Sequence, residues 1–207
     1  IRGRIPTKVV TDVSKVERVE ALAAATMERF GAVHVMRNNA GVAGRHGLSA
    51  DGFELSFAVN HLGHFVLTGA LLGRIIDTKG SRIVNVSSMA HYFGKIDFAD
   101  LSSENGYNAQ AAYGQSKLAN LLFTYELQRR IDRAGKKVLV VAAHPGWTET
   151  NLQKHSSAVM FLNKFFAQDA LTGALPTLYA ATESDVHGAE YDGPSGCLDI
   201  KGPRKNV

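Results

Sequence analysis

Cysteine is almost absent from this chain, since Cys197 is the only one in 207 residues. One thiol cannot close an internal disulfide or build a cysteine-rich zinc site, so disulfide scaffolds are excluded and a reducing, cytoplasmic compartment is expected. Proline is scarce, at 5 residues, and no low-complexity tract, repeat or linker interrupts the chain, which excludes disordered and collagen-like classes. Blocks of like charge are missing too. The net charge of +4 and the pI near 9.2 come from scattered Lys and Arg, so no nucleic-acid partner is expected. Residues 1–10 carry Arg2, Arg4 and Lys8 but neither the apolar run nor the small-residue cleavage site of an export signal.

What remains is ordinary globular material, 45% hydrophobic and 20% charged, in a length that suits one domain spanning residues 1–207. Short β-branched runs read as strands: Val9 to Val13, Val33 to Met36, Arg82 to Val86 and Val138 to Val141. Segments of helical period lie between and after them, at Val16–Phe30, Phe53–Ile76, Ala111–Ile131 and Ala167–Ala181. This alternation predicts an α/β fold, a mainly parallel sheet with helices on both faces. Leu55 to Ile76 is long and apolar enough to suggest a membrane span. Asn60, His61 and His64 inside it favour a buried helix or one packed on a partner subunit, so no transmembrane segment is expected. His61 and His64 have no carboxylate or cysteine partner at a recognisable ligand spacing, and no metal is expected.

Tyr113 and Lys117 stand four apart in a predicted helix and so share a face. A cation beside a tyrosine favours the phenolate and lowers a pKa otherwise near 10, which suits proton transfer at neutral pH. Alone the pair is weak, because a ring also packs readily on a lysine stem. Its company is more telling. Asn38-Asn39-Ala40-Gly41, Asn85-Val86-Ser87-Ser88 and His144-Pro145-Gly146 each follow a predicted strand, on the rim where open parallel sheets bind ligands.

In these features, and in Val59-Asn60-His61-Leu62-Gly63-His64-Phe65 and the Ser87-Ser88-Met89-Ala90-His91 run, the sequence resembles the short-chain dehydrogenase/reductase superfamily. Within it the closest likeness is to the retinol-dehydrogenase-like and WW-domain-oxidoreductase-like branch. The resemblance runs from Asp12 to about Cys197 and implies a Rossmann-like doubly wound sheet and an NAD or NADP cofactor. It implies that Tyr113 exchanges a proton with the substrate oxygen, that Lys117 lowers the pKa of Tyr113 and hydrogen-bonds the nicotinamide ribose, and that Ser88 stabilises the developing charge. Asn60 would hold a water linking Lys117 to solvent. On the cofactor side it implies Asp12 and Val13 near adenine, Asn38, Asn39, Ala40 and Gly41 under the adenosine ribose, and Pro145, Gly146, Thr148 and Thr150 near the nicotinamide and phosphates. As plain structure, Asp12 would simply cap the helix that starts near Val16. Trp147 stands where the family has small or aliphatic residues.

Two departures stand out. The family's Gly-x-x-x-Gly-x-Gly turn does not occur in these 207 residues, and Val9–Val13 aligns with the third family strand. The first β-α-β portion is therefore expected to be lacking, with the pyrophosphate site it would carry, and the chain as it stands is expected to bind cofactor weakly. Arg37 replaces an aliphatic residue and must either pair with an acid or sit exposed at a sheet edge. The leading expectation is a carbonyl/alcohol oxidoreductase acting on a hydrophobic, retinoid-, steroid- or lipid-like small molecule, with Ser156 to Phe166 as an apolar lid or a core-packing helix. The alternative is a non-catalytic scaffold of the same fold, or an inactive fragment of such an enzyme. A serine hydrolase is disfavoured because Gly114-Gln115-Ser116-Lys117-Leu118 lacks the second glycine of a nucleophile elbow. A homodimer through helices Phe53–Ile76 and Ala111–Ile131 is a further expectation, since each is apolar over more than one stripe.

Overall fold

The computed structural model describes residues 8–146 and 169–195 and the backbone of 204–206. Helix α1 spans Val16–Phe30, buries Val19 and Ala23, and stops at Gly31, whose positive φ of 71° lets its N–H return to Met27 O. Strands β1 (Val35–Asn38), β2 (Arg82–Val86) and β3 (Leu139–Ala143) lie side by side in parallel, and β4 (Tyr191–Pro194) continues them. The short β5 (Arg204–Asn206) closes the order antiparallel to β4. Helix α2 runs Leu55–Asp77, helix α3 Ala109–Arg133 and helix α4 Ala170–Thr182.

Alternation along the strands assigns the helices to faces. Met36, Ile83 and Val140 form one core with Ala23 of α1, Leu71 and Ile75 of α2, and Leu127 and Ile131 of α3. Val84, Val141 and Ala143 point the other way and pack with Ala180 of α4. Arg37 lies in register with Val84, on the α4 side of edge strand β1, where it is exposed and its Nη2 donates to Asn39 Oδ1 at 2.7 Å. Of the two expectations for Arg37, exposure at the edge is the one seen, and no acid pairs with it among the described residues.

Helix ends differ from the sequence reading for local reasons. Asn108 Oδ1 accepts from Gln110 N and Ala111 N, both at 3.0 Å, so α3 begins two residues before its first apolar position. Asp169 does the same for Leu171 N and Thr172 N and sets the start of α4. Strand β1 begins two residues later than Val33, and β3 ends at Ala143 rather than Val141.

One expected strand does not form. Val9–Val13 pairs with no strand among the described residues. Instead Asp12 Oδ1 accepts from Ser14 N at 3.1 Å and Ser14 Oγ at 2.6 Å, turning the chain toward α1. Those bonds hold the Asp12 carboxyl below the usual carboxylate range. The helix cap position belongs to Lys15, which makes no side-chain cap bond, so Asp12 closes the preceding turn and does not cap α1. Val13 then presses its carbonyl onto Gly63 of α2, where a Cβ would collide with it.

Helix α2 passes the length and hydropathy test for a membrane span. Its position here is that of a core helix, because Thr68, Leu71 and Ile75 are buried against the sheet and α1.

A second glycine contact sets how close the segment after β2 comes to α3. Met89–Phe93 is a 3₁₀ turn, and Gly94 beyond it packs backbone to backbone on Gly114 of α3. A Cβ on Gly114 would lie 2.8 Å from Ala90 O and 3.1 Å from Gly94 N, tighter than side chains tolerate. Gly114→Ala should therefore lower stability by about 1–3 kcal/mol, read as a shifted urea midpoint. An unchanged midpoint would show that the 3₁₀ turn yields freely.

Candidate active site

The three parallel strands are in register to their ends, with Asn38 opposite Asn85 and Val86 opposite Ala143, so the loops after them emerge at one edge. Beneath that edge, α2 carries a π-helical turn at Ala58–Leu62. Asn60 sits in this turn, fully buried. Its Nδ2 donates to Val42 O at 3.0 Å and to Ser116 Oγ at 2.9 Å, and its Oδ1 accepts from Val42 N at 2.8 Å. Both amide hydrogens are thus spent on the Val42 backbone and on α3, and Asn60 acts as a bracket between the 39–42 loop and α3. The expected water would have to use the remaining Oδ1 lone pair.

Lys117 is only 4% exposed. Its Nζ donates to Val86 O at 3.1 Å and lies 5.5 Å from the Tyr113 ring centroid, over the ring face. No carboxylate among the described residues offsets the desolvation of the ammonium, and burial pushes its pKa down to about 8. Ser87 Oγ donates to Lys117 O at 2.9 Å and so pins this turn of α3 to the end of β2. The next residue, Ser88, caps the 3₁₀ turn through Ala90 N at 3.2 Å and stands near enough to the Tyr113 hydroxyl to favour its ionised form.

Burial raises the Tyr113 pKa above its usual value, and the opposing influence is the nearby Ser88 hydroxyl. The Lys117 ammonium lies over the face of the same ring, 5.5 Å from its centroid. Tyr113 is therefore a neutral phenol at physiological pH.

Ser88, Tyr113, Lys117 and Asn60 are brought together with Gly41. A Cβ on Gly41 would lie 3.5 Å from Asn60 Oδ1 and 3.8 Å from Lys117 Nζ. A side chain is sterically possible there, but it would stand over both polar groups. Gly146 adopts φ 66°, which favours glycine, and donates to His144 Nδ1 at 3.2 Å. Pro145 precedes it at the same edge. Asn39 is exposed and bonded to Arg37, Ala40 is half-buried, and Asn38 belongs to the core. Asp12 and Val13 lie against the other end of the π turn. Val13 lines an apolar groove of about 250 Å³ with Val16, Phe53, Leu62 and Val66, and Asp12 is not part of its wall. Trp147, Thr148, Thr150 and Ser156–Phe166 lie outside the described residues, as do Arg2, Arg4 and Cys197.

The family model described as short chain dehydrogenase matches residues 6–160. The chain belongs to the short chain dehydrogenase family. Among relatives, human retinol dehydrogenase 11 is 43% identical over 174 residues, covering 82% of this chain and 54% of that protein. Bovine retinol dehydrogenase 12 is 40% identical over 183 residues, covering 88% of this chain and 56% of that protein. The chain thus spans about half the length of these relatives. Of solved structures, an uncharacterized protein from Mycobacterium paratuberculosis is similar with a TM-score of 0.74 at 39% identity, over 95% of this chain and 65% of that one. Levodione reductase shares the fold alone, with a TM-score of 0.67 at 20% identity, over 88% of this chain and 73% of that one.

Sequence reasoning missed the groups that hold this short chain dehydrogenase site together: Ser87, Ser116, Val42, Asn120 and the Gly94–Gly114 contact. Asn120 was visible in principle, three residues after Lys117 and on the same face. The glycine pair left no local signal, because its meaning lies in a contact across twenty positions.

The pKa of Lys117 carries a stability consequence. The folded chain releases this proton near pH 8, whereas the unfolded amine keeps it to about 10.5. Between those values the unfolded state binds more protons, so stability rises with pH. The parent should gain stability over Lys117→Met across that window, with a slope of up to about 1.4 kcal/mol per pH unit. Denaturant titrations at several pH values check this, and a flat difference would show that the ammonium is not desolvated.

Proposed function

We propose that the full-length protein is an oxidoreductase that interconverts a carbonyl and an alcohol with a nicotinamide dinucleotide, on a hydrophobic, retinoid-like substrate. The observation that carries this reading is the convergence of Ser88, Tyr113 and a buried Lys117 at one sheet edge. A charge buried without a carboxylate costs stability, and a scaffold protein would have no reason to keep it. The non-catalytic alternative therefore has less support.

The residues present fit the cofactor. Lys117 has three ammonium hydrogens, and Val86 O takes one, while the missing side chain of Gly41 leaves the space above Nζ free for a hydroxyl-bearing group. Bound there, a nicotinamide would supply or accept the hydride. The chain's own residues would handle the oxygen: Tyr113, as a neutral phenol, gives a proton to a carbonyl oxygen, or takes one from an alcohol once ionised. The Ser88 hydroxyl would hydrogen-bond the same oxygen and Lys117 the ribose. Gly41 and the Asn39–Ala40 backbone would pass beneath the adenosine, with Asp12 and Val13 toward adenine and Pro145, Gly146, Thr148 and Thr150 toward the nicotinamide and phosphates. Names of relatives such as retinol dehydrogenase 11 support a retinoid-like substrate. So do Tyr92, Phe93 and Phe98, all exposed and close in sequence to Ser88. The single Cys197 supports a reducing, cytoplasmic location.

Tyr113→Phe in the full-length protein should lower turnover of an accepted alcohol or aldehyde by at least about 100-fold, with little change in cofactor affinity. Near-parental turnover would exclude Tyr113 as the proton-transfer group.

The proposal includes a homodimer. Phe65 on α2 and Leu122 and Tyr125 on α3 are exposed, and the Phe65 and Phe123 rings meet at 5.4 Å, so the outer faces of both helices merge into one apolar surface. Light scattering should give a dimer mass for the full-length protein and a monomer mass for Phe65→Glu combined with Leu122→Glu. A monomeric parent would remove this part of the reading.

A further inference from the structure

Asn120 lies one turn beyond Lys117 on α3 and is only 1% exposed. Its amide makes three contacts that no simple helix position requires. Nδ2 donates to Asn60 O at 2.9 Å and to Val86 O at 3.3 Å, while Oδ1 faces His61 Nδ1 at 3.1 Å. The network sets the orientation of this amide, because the flipped form would aim Oδ1 at two carbonyl oxygens. His61 must then carry its proton on Nδ1, since an amide oxygen can only accept.

Two consequences reach Lys117. The first concerns spacing. The π turn of α2 widens the helix at Ala58–Leu62, and the bond from Asn120 to Asn60 O ties that turn to α3, across from the ammonium. The second concerns acceptor capacity. Val86 O has two lone pairs, and its two donors are Lys117 Nζ at 3.1 Å and Asn120 Nδ2 at 3.3 Å. With Lys117 Nζ on the other, Asn120 thereby fills the second lone pair of Val86 O, so this carbonyl has no capacity left to draw a further ammonium hydrogen inward.

We propose that Asn120 is a positioning residue for Lys117: by holding the Asn60 and Val86 carbonyls, it keeps the ammonium on a single backbone acceptor and leaves its other hydrogens for the space beneath Gly41. As a role in catalysis this rests on the oxidoreductase reading; as a statement about Lys117 it does not. Among the described residues, the titratable groups that face Lys117 are Tyr113 on its own helix and His64 on α2, with His61 held by Asn120 beside them. His64 stays neutral, its pKa pushed down to about 3 by burial first and then by the charges of Lys117 and His61. It does not compete as a titrating partner above neutral pH.

The test reads the amine directly, without cofactor or substrate, in protein carrying ¹³C-labelled lysine, with the Lys117 signal assigned from Lys117→Met. Asn120→Leu preserves volume and removes both donors. The freed lone pair of Val86 O then accepts more strongly from the ammonium, and the Lys117 pKa should rise by about half a unit or more. Asn120→Ala also removes the donors and adds no charge, so it should raise the pKa in the same direction and serves if Asn120→Leu fails to fold. A merely structural asparagine would lower the melting temperature and leave the titration where it was. A Lys117 curve that superimposes on the parent's, or shifts downward, in either folded variant overturns the proposal. Because no turnover is involved, this result is independent of the Tyr113→Phe assay that decides the oxidoreductase reading.

Discussion

Burial of the Lys117 ammonium is the constraint on which the rest of this site depends. A charge in a protein interior is tolerated only where polar groups replace its water, and here the replacement is backbone: Val86 O at the end of β2. That choice forces α3 to be fixed against β2 with little slack. Ser87 Oγ on Lys117 O and Asn120 Nδ2 on Val86 O supply the fixing. Because the partner is a dipole rather than a carboxylate, desolvation is only partly offset, and the amine is held near its titration point instead of being locked as a cation.

The same economy of polar groups extends across the sheet. Asn38 Nδ2 donates to Asn85 Oδ1 at 2.8 Å and to Thr68 Oγ1 of α2 at 3.0 Å, and Asn85 Nδ2 donates to Thr124 Oγ1 of α3 at 2.9 Å. Thr124 Oγ1 in turn donates to Asn120 O. Two asparagines in register on parallel strands can pair side by side, and a slip of one residue would turn each to the opposite face and leave it unpaired. The row therefore specifies the register of β1 against β2, which decides that the loops after both strands leave at one edge. Fold and site share this device.

Close backbone approach is the second means of assembly. Gly63 admits the Val13 carbonyl to α2, and Gly94 meets Gly114 to bring the 3₁₀ turn down onto α3. Both contacts join segments distant in sequence, and both adjoin groups the site uses: Asp12–Val13 in the first case, Ser88 and Tyr113 in the second. Glycine is required at these points because a neighbour's backbone occupies the place of a side chain.

Periodicity alone determined the alternation of helix and strand, the faces of α1, and the core strand β2, because each is a local pattern whose burial follows from its own residues. The Tyr113–Lys117 pair and the three loop motifs were equally legible, since their spacing sets which side chains can meet. What the sequence could not determine was anything that depends on a partner elsewhere. Val9–Val13 has the composition of a strand but pairs with none among the described residues, and the Asp12–Ser14 turn leads it into α1. Tyr113 and Lys117 share a helix face, yet only the packed structure places the ammonium over the ring and leaves burial to raise the phenol's pKa. Asn60 reads as a helix asparagine, and its bracket to Val42 and Ser116 exists only once the loop, α2 and α3 have closed around it. Composition and spacing act along the chain, whereas hydrogen-bond saturation and desolvation are properties of the space that folding encloses.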